Sequence, residues 1–122
     1  MIDLASFKNA QLRGGFIIEE VTIADEPLID AIGREAIART TIIAREFFIT
    51  IRRGLTDEEL SVTLYHEILE AMTVASNNPP ASVTMFNEAE FERAAYRAHN
   101  EFGPASPETL DRMLQSYDFG EQ

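Results

Sequence analysis

A helix in the middle of the chain constrains the fold more than any other feature of the sequence. Thr56, with Glu59 three residues later, has the pattern of a capping box, in which each side chain accepts a hydrogen bond from the backbone N–H of the other residue. This pattern predicts that the helix begins at Asp57. The turn-forming residues 77–80, Asn-Asn-Pro-Pro, predict that it ends at about Ser76.

Two apolar stripes cover this helix. The first stripe comprises Leu60, Leu64, Ile68, Ala71 and Ala75. The second lies roughly on the opposite side and comprises Val62, Tyr65, Leu69 and Thr73. A helix that is apolar on two sides is an internal helix. We therefore expect it to pack between a sheet and other helices.

The residues before this helix predict two strands and one short helix. Residues 16–23 are rich in β-branched side chains, which favour a strand. Alternating apolar residues favour a second strand over 47–52. Between these strands, apolar residues at helical spacing predict a short helix over 27–39.

Two more helices are predicted after the central one. Asn87 with Glu90 repeats the capping-box pattern and predicts a helix over 88–102. Ser106 followed by Pro107 predicts the start of a last helix. The expected fold class is therefore α+β, with a short mixed or antiparallel sheet packed on the central helix and two or more further helices.

The size and composition of the chain favour one domain over residues 1–122. A chain of 122 residues, 45% of them apolar, can build a core without disulfides or a structural metal. The chain has no cysteine, which excludes disulfides, thiolate zinc sites and cysteine nucleophiles. The sequence has neither a basic, apolar start nor an apolar run of about 20 residues. We expect a soluble, cytoplasmic protein.

The charge of the chain argues against two classes of partner. Its 21 acidic and 10 basic residues give a net charge of −11, and Lys8 is the only lysine. Binding to nucleic acid needs clustered lysine and arginine, and an anionic membrane would repel this chain. We expect neither nucleic acid nor a membrane among its partners.

The acidic residues are concentrated in one segment. Eight carboxylates and no lysine or arginine lie between Gly54 and Glu92. Four of them, Asp57, Glu58, Glu59 and Glu90, are accounted for by helix starts and capping. The four that remain are Glu67, Glu70, Glu88 and Glu92. They indicate either a solvated acidic face or a cation site.

His66 gives the cation site its strongest support. His66 and Glu70 are one helical turn apart, so both side chains can converge on one point, as in helices that present two ligands to a metal. Glu67 lies further round the helix, where it could hold a water molecule. The run is the H-E-x-x-H pattern of zinc peptidases with Glu70 in place of the second histidine.

The chain resembles the ImmA/IrrE-type zincin-like metallopeptidases over about residues 47–74. The matching residues are Ile49-Thr50-Ile51, Arg53-Gly54-Leu55-Thr56, Glu58-Glu59, Thr63-Leu64-Tyr65-His66-Glu67 and Ala71. The resemblance implies a zincin-like core and an exposed edge strand near 47–52 that aligns an extended substrate. It also implies a divalent metal, zinc by resemblance, and a peptide or protein as substrate or partner.

The resemblance also implies roles for the site residues. His66 and Glu70 would be metal ligands, and Glu67 the general base acting on a metal-activated water. Glu88 or Glu92 would supply the third ligand, with Glu88 favoured. His99, on the same flank of the later helix, ranks after them.

The carboxylate at position 70 changes the expected metal chemistry. At about 4 Å and an effective dielectric of about 20, its charge interacts with the metal site by roughly 4 kcal/mol more than a neutral imidazole. Such a charge makes bound water harder to ionise and moves the metal preference from zinc toward manganese or iron. The resemblance thus implies a metal-dependent hydrolase, in the form of a minimal or degenerate zinc metallopeptidase-like protein that uses a metal-activated water.

Two interpretations without catalysis stay open. The chain could be a non-catalytic zincin-like domain that acts as a protein-interaction or regulatory module. His66 could be an ordinary helix histidine hydrogen-bonded to Glu70, and His99 could simply stabilise the C-terminal end of its helix.

Overall fold

A mixed sheet packs against one long helix in the computed structural model, which describes residues 2–30 and 32–120. The strands are β1 (Ala10–Gln11), β2 (Ile17–Ile23), β3 (Leu28–Ile29), β4 (Glu35–Ala36), β5 (Ala38–Ile43) and β6 (Glu46–Ile51). The helices are α1 (Asp57–Ala75), α2 (Ala81–Thr84), α3 (Glu88–Phe102) and α4 (Pro107–Ser116). The chain is an α+β fold, as predicted.

The four-stranded sheet has the order β1-β2-β6-β5. β2 and β6 are parallel, whereas β1–β2 and β5–β6 are antiparallel. The strand expected at 47–52 is β6, and it lies inside the sheet rather than at its edge. Its burial alternates, with Phe47, Ile49 and Ile51 in the core. The two edge strands are β1 and β5, and β5 contacts α1.

The prediction of a helix over 27–39 is wrong. β3 and β4 form an antiparallel two-stranded ribbon there, and Ala31 lies outside the described residues. The Asp30 carboxylate accepts hydrogen bonds from the backbone N–H groups of Ile32, at 3.0 Å, and Arg34, at 2.9 Å. Gly33 adopts a φ of 85°, which a helix does not allow. This local turn chemistry prevails over a weak helical spacing.

α1 has the predicted start and the predicted internal position. The Thr56 side chain accepts from the Glu59 N–H at 3.1 Å, and the Glu59 carboxylate accepts from the Thr56 N–H at 2.8 Å. Side chains of both apolar stripes are buried, among them Leu64, Ile68, Val62, Tyr65 and Leu69. The helix contacts β5 and β6 as well as α3 and α4.

The later helices also follow their sequence signals. α3 begins with the capping box of Asn87 and Glu90, and α4 begins with Pro107 after the capping residue Ser106. The short helix α2 was not predicted. Within the described part of the chain, no helix is both long and apolar enough to cross a membrane.

Candidate metal centre

α1 and α3 bring one histidine and three carboxylates together. The Nε2 atom of His66 lies 3.4 Å from Oε1 of Glu70 and 3.2 Å from Oε1 of Glu88. Its Nδ1 atom lies 2.7 Å from Oε1 of Glu92. We call His66, Glu70, Glu88 and Glu92 the His66 cluster. The carboxylates of this cluster contact both nitrogens of the imidazole.

Helical spacing and close packing explain this convergence. His66 and Glu70 are one turn apart on α1, and Glu88 and Glu92 are one turn apart on α3. α3 packs closely on α1, and its buried residues include three alanines, Ala94, Ala95 and Ala98. Because alanines keep the two helices close, the longer glutamate side chains of α3 reach His66.

Glu67 lies beside the cluster and is held by a residue of the edge strand. The Thr40 hydroxyl of β5 donates a hydrogen bond of 2.7 Å to Oε1 of Glu67. Ligand atoms of His66, Glu67 and Glu70 lie within 4.8 Å of one another. Burial raises the pKa of the Glu67 carboxyl, and the Thr40 hydrogen bond opposes this rise. Sequence reasoning missed Thr40, because nothing in the sequence pairs β5 with α1.

The charges of the cluster favour protons or a cation. Burial lowers the pKa of His66, but hydrogen bonds to Glu70 and Glu92 outweigh burial and raise the pKa to about 9. The hydrogen bond with His66 lowers the pKa of Glu70. The neighbouring Glu70 carboxylate, together with burial, raises the pKa of Glu88 to about 7. Without a cation, the excess negative charge is therefore relieved by bound protons.

The donor set fits a divalent cation. One imidazole nitrogen and two carboxylate oxygens, from Glu70 and Glu88, approach the same side of the His66 ring. These are ligand types that zinc, manganese and iron accept. Glu92 stands apart, since it contacts the other ring nitrogen.

A groove opens next to these residues. It encloses about 340 Å³ between α1 and β5, and its walls include Glu67, Glu70 and Glu88. Its other lining residues are Ala38, Arg39, Thr40, Ile42, Ala71 and Val74. A larger cavity of about 700 Å³ lies around Arg45 and Phe16 and contains none of the predicted site residues. Of these two cavities, the smaller groove is the one lined by predicted site residues.

His99 does not join the cluster. Its Nδ1 atom lies 2.8 Å from Oγ of Ser61, which also accepts a hydrogen bond of 2.8 Å from the Ala105 N–H. His99 lines a different cavity of about 400 Å³, together with Asp57 and Glu58. The structure therefore separates His99 from the other predicted ligands.

Comparison with known proteins does not add to this picture. The chain matches no protein-family model, no curated protein and no solved structure. The resemblance to the zincin-like metallopeptidases rests on the residues of the chain itself.

Proposed function

We propose that the protein is a metal-dependent hydrolase of the peptidase type. The observation that carries this proposal is the convergence of Glu70 and Glu88 on Nε2 of His66, with Glu67 alongside in an open groove. A structural ion pair needs one carboxylate next to a histidine. Two more carboxylates raise the electrostatic cost, which bound protons relieve in the metal-free protein and a cation among them would relieve directly.

Three side chains would hold the cation: His66 through Nε2, Glu70 and Glu88. The resemblance favours zinc, and the two carboxylates also suit manganese or iron. A bound divalent cation would supply Lewis-acid polarisation of a substrate carbonyl and a lowered pKa for water. Glu88 would coordinate the cation from α3 and Glu70 from α1. The site therefore also requires that these helices be correctly packed.

Glu67 has the features of a general base. Its Oε1 atom is fixed by Thr40, which leaves Oε2 to accept a proton from water in the groove. Its pKa is raised by burial, so the carboxylate is a better proton acceptor than an exposed glutamate. The same atom can later give the proton to the leaving amine, as peptide hydrolysis requires.

The edge strand suggests an extended peptide as substrate. In the described residues β5 pairs with β6 on one side, and no strand pairs with its other edge. Ala38, Thr40 and Ile42 of β5 line the groove that contains Glu67. A peptide that adds to this edge as a further strand would pass along the groove.

Two measurements test the proposal. Elemental analysis of the purified protein, followed by thermal unfolding with added zinc or manganese, is expected to reveal about one bound cation per chain and a raised Tm. A mixture of peptides analysed by mass spectrometry is expected to be cleaved by the wild type. The Glu67→Gln variant is expected to keep the cation and lose cleavage.

The outcomes separate metal binding from catalysis. Absence of metal, with a Tm unchanged by zinc and by manganese, would contradict the proposal entirely. Metal binding without cleavage would reject the hydrolase and favour a non-catalytic interaction module. Equal cleavage by the wild type and by Glu67→Gln would reject the role of Glu67. Glu101→Gln, an exposed change on α3, is the control for loss of one negative charge.

A further inference from the structure

We propose that Glu92 is a positioning residue that fixes the His66 imidazole with its Nε2 lone pair toward Glu70 and Glu88. Glu92 would thus act through His66 rather than hold the cation itself. This inference rests on the proposed function, because it concerns how the chain prepares a nitrogen ligand for a cation. The observations that support it are the contacts of the two ring nitrogens.

The two nitrogens of His66 have different surroundings. Nδ1 lies 2.7 Å from Oε1 of Glu92, which is shorter than the 3.4 Å and 3.2 Å from Nε2 to Glu70 and Glu88. A carboxylate is only an acceptor, so the ring must donate in the contact with Glu92. In the metal-free cluster the ring is protonated on both nitrogens at neutral pH, because its pKa is raised to about 9. Once a cation replaces the proton on Nε2, the neutral imidazole keeps one N–H, and the shorter contact with Glu92 places it on Nδ1.

The consequence for Nε2 follows directly. With the remaining proton on Nδ1, the ring of the cation-bound protein would have its lone pair on Nε2, on the side where Glu70 and Glu88 converge. The lone-pair directions of the two ring nitrogens diverge, so an oxygen bonded to Nδ1 does not share the ligand position at Nε2. Glu88 and Glu92, one turn apart on the same helix, therefore have different roles.

Packing around the ring supports the same orientation. The Phe91 ring lies 6.1 Å from the His66 imidazole, centroid to centroid, and is itself buried. The His66 side chain is only 14% exposed. Phe91 is the residue next to Glu92 on α3, so one helix turn supplies both a ring that confines the imidazole and a carboxylate that orients it.

The experiment compares three variants on α3 for zinc affinity and for the state of the His66 ring. Glu92→Leu removes the acceptor, Glu92→Gln keeps a neutral acceptor oxygen, and Glu101→Gln is the charge-matched control. Titration calorimetry with zinc alone is expected to show that Glu92→Leu lowers the zinc affinity by roughly 10- to 100-fold, the usual effect of removing a hydrogen-bond partner of a metal-bound histidine. The loss should be smaller for Glu92→Gln and absent for Glu101→Gln.

Nitrogen NMR supplies a readout that a general structural role would not change. In ¹⁵N-labelled protein loaded with ¹¹³Cd²⁺, coupling to the metal is expected at Nε2 of His66, with a slowly exchanging proton on Nδ1. In Glu92→Leu that proton should exchange faster. Glu92 is about half exposed, at 48%, so both variants are expected to fold, which circular dichroism checks.

The possible results decide the matter in distinct ways. Metal coupling at Nδ1, or equal zinc affinity for wild type and Glu92→Leu, would overturn the positioning role while leaving the cation site in place. Loss of zinc binding in Glu92→Gln but not in Glu88→Gln would make Glu92 a ligand and overturn the assignment. Absence of zinc and cadmium binding in the wild type would overturn both this inference and the proposed function.

Discussion

The two histidines of the chain lie at the same helix interface but in opposite chemical settings. His99 bonds through Nδ1 to the hydroxyl of Ser61, which is fully buried and also accepts the Ala105 N–H. His66 has carboxylates at both nitrogens. Each histidine is packed between α1 and α3, so packing alone does not account for the difference.

The contrast separates a structural role from a candidate functional one. At His99, the Ser61 hydroxyl bonds to Nδ1 and accepts from the Ala105 N–H, which connects α1 to α3 and to the segment just before α4. At His66, the carboxylates exceed what one imidazole can neutralise, and the pKa values of His66 and Glu88 both rise in response. These shifted pKa values mark the His66 cluster, rather than the surroundings of His99, as the candidate functional site.

The largest expected effect is on zinc affinity, which should differ sharply between variants of the two histidines. His66→Ala should weaken zinc binding by more than about 100-fold, because it removes a ligand and losing an outer partner alone costs roughly 10- to 100-fold. His99→Ala should leave the zinc affinity unchanged. Titration calorimetry measures both. Equal losses of zinc affinity in the two variants would show that His66 and His99 do not differ in function.

The next largest effect concerns stability at the His99 end. Ser61→Ala leaves the Ala105 N–H and Nδ1 of His99 without their partner, which should cost about 1–3 kcal/mol of unfolding free energy. Urea unfolding measures the change. The exposed Ser82 provides a matched control, and Ser82→Ala should change stability by less than about 0.5 kcal/mol. Zinc affinity should not change in either variant.

The parts of the fold that were predictable are those with local boundary signals. The capping residues Thr56 and Asn87 place the starts of α1 and α3, because each cap bonds to residues within its own first turn. The ribbon of β3 and β4 was missed because the turn at Asp30 depends on side-chain hydrogen bonds that helical spacing does not reveal.

The candidate site was predictable to the same extent. Helical spacing groups His66 with Glu70, and Glu88 with Glu92, from the sequence alone. Which nitrogen of His66 each carboxylate contacts depends on how α1 and α3 pack, and this is not encoded in local spacing. Thr40 could not be found either, since its contact with Glu67 requires the placement of β5 at the sheet edge.

An intermediate effect is expected on how the unfolding free energy of the metal-free protein depends on pH. Because the pKa of His66 rises from 6.5 to about 9 on folding, its protonation stabilises the fold fully below pH 6.5, and this contribution is lost as the pH rises through 9. The upper bound is about 3 kcal/mol, at 1.36 kcal/mol per pKa unit. The raised pKa of Glu88, about 7, acts in the same direction.

Urea unfolding between pH 6 and pH 10 measures this dependence. The wild type should lose stability as the pH rises, while His66→Ala should lose markedly less. Zinc affinity should instead increase with pH, because the cation displaces the proton of His66. A metal-free stability that rises over this interval would contradict the charge balance inferred for the His66 cluster.

The smallest effect is expected at the edge strand. Thr40→Val removes the hydroxyl that donates to Glu67, which should cost about 0.5–1.5 kcal/mol of stability. Because the Thr40 hydrogen bond lowers the pKa of Glu67, its loss should raise that pKa further and move the acidic limb of any hydrolysis profile to higher pH. Thr41→Val, at an exposed position of the same strand, is the control and should shift neither. If Thr40→Val leaves the profile in place while zinc still binds, Glu67 is oriented by something other than β5, and the edge strand contributes only a wall of the groove.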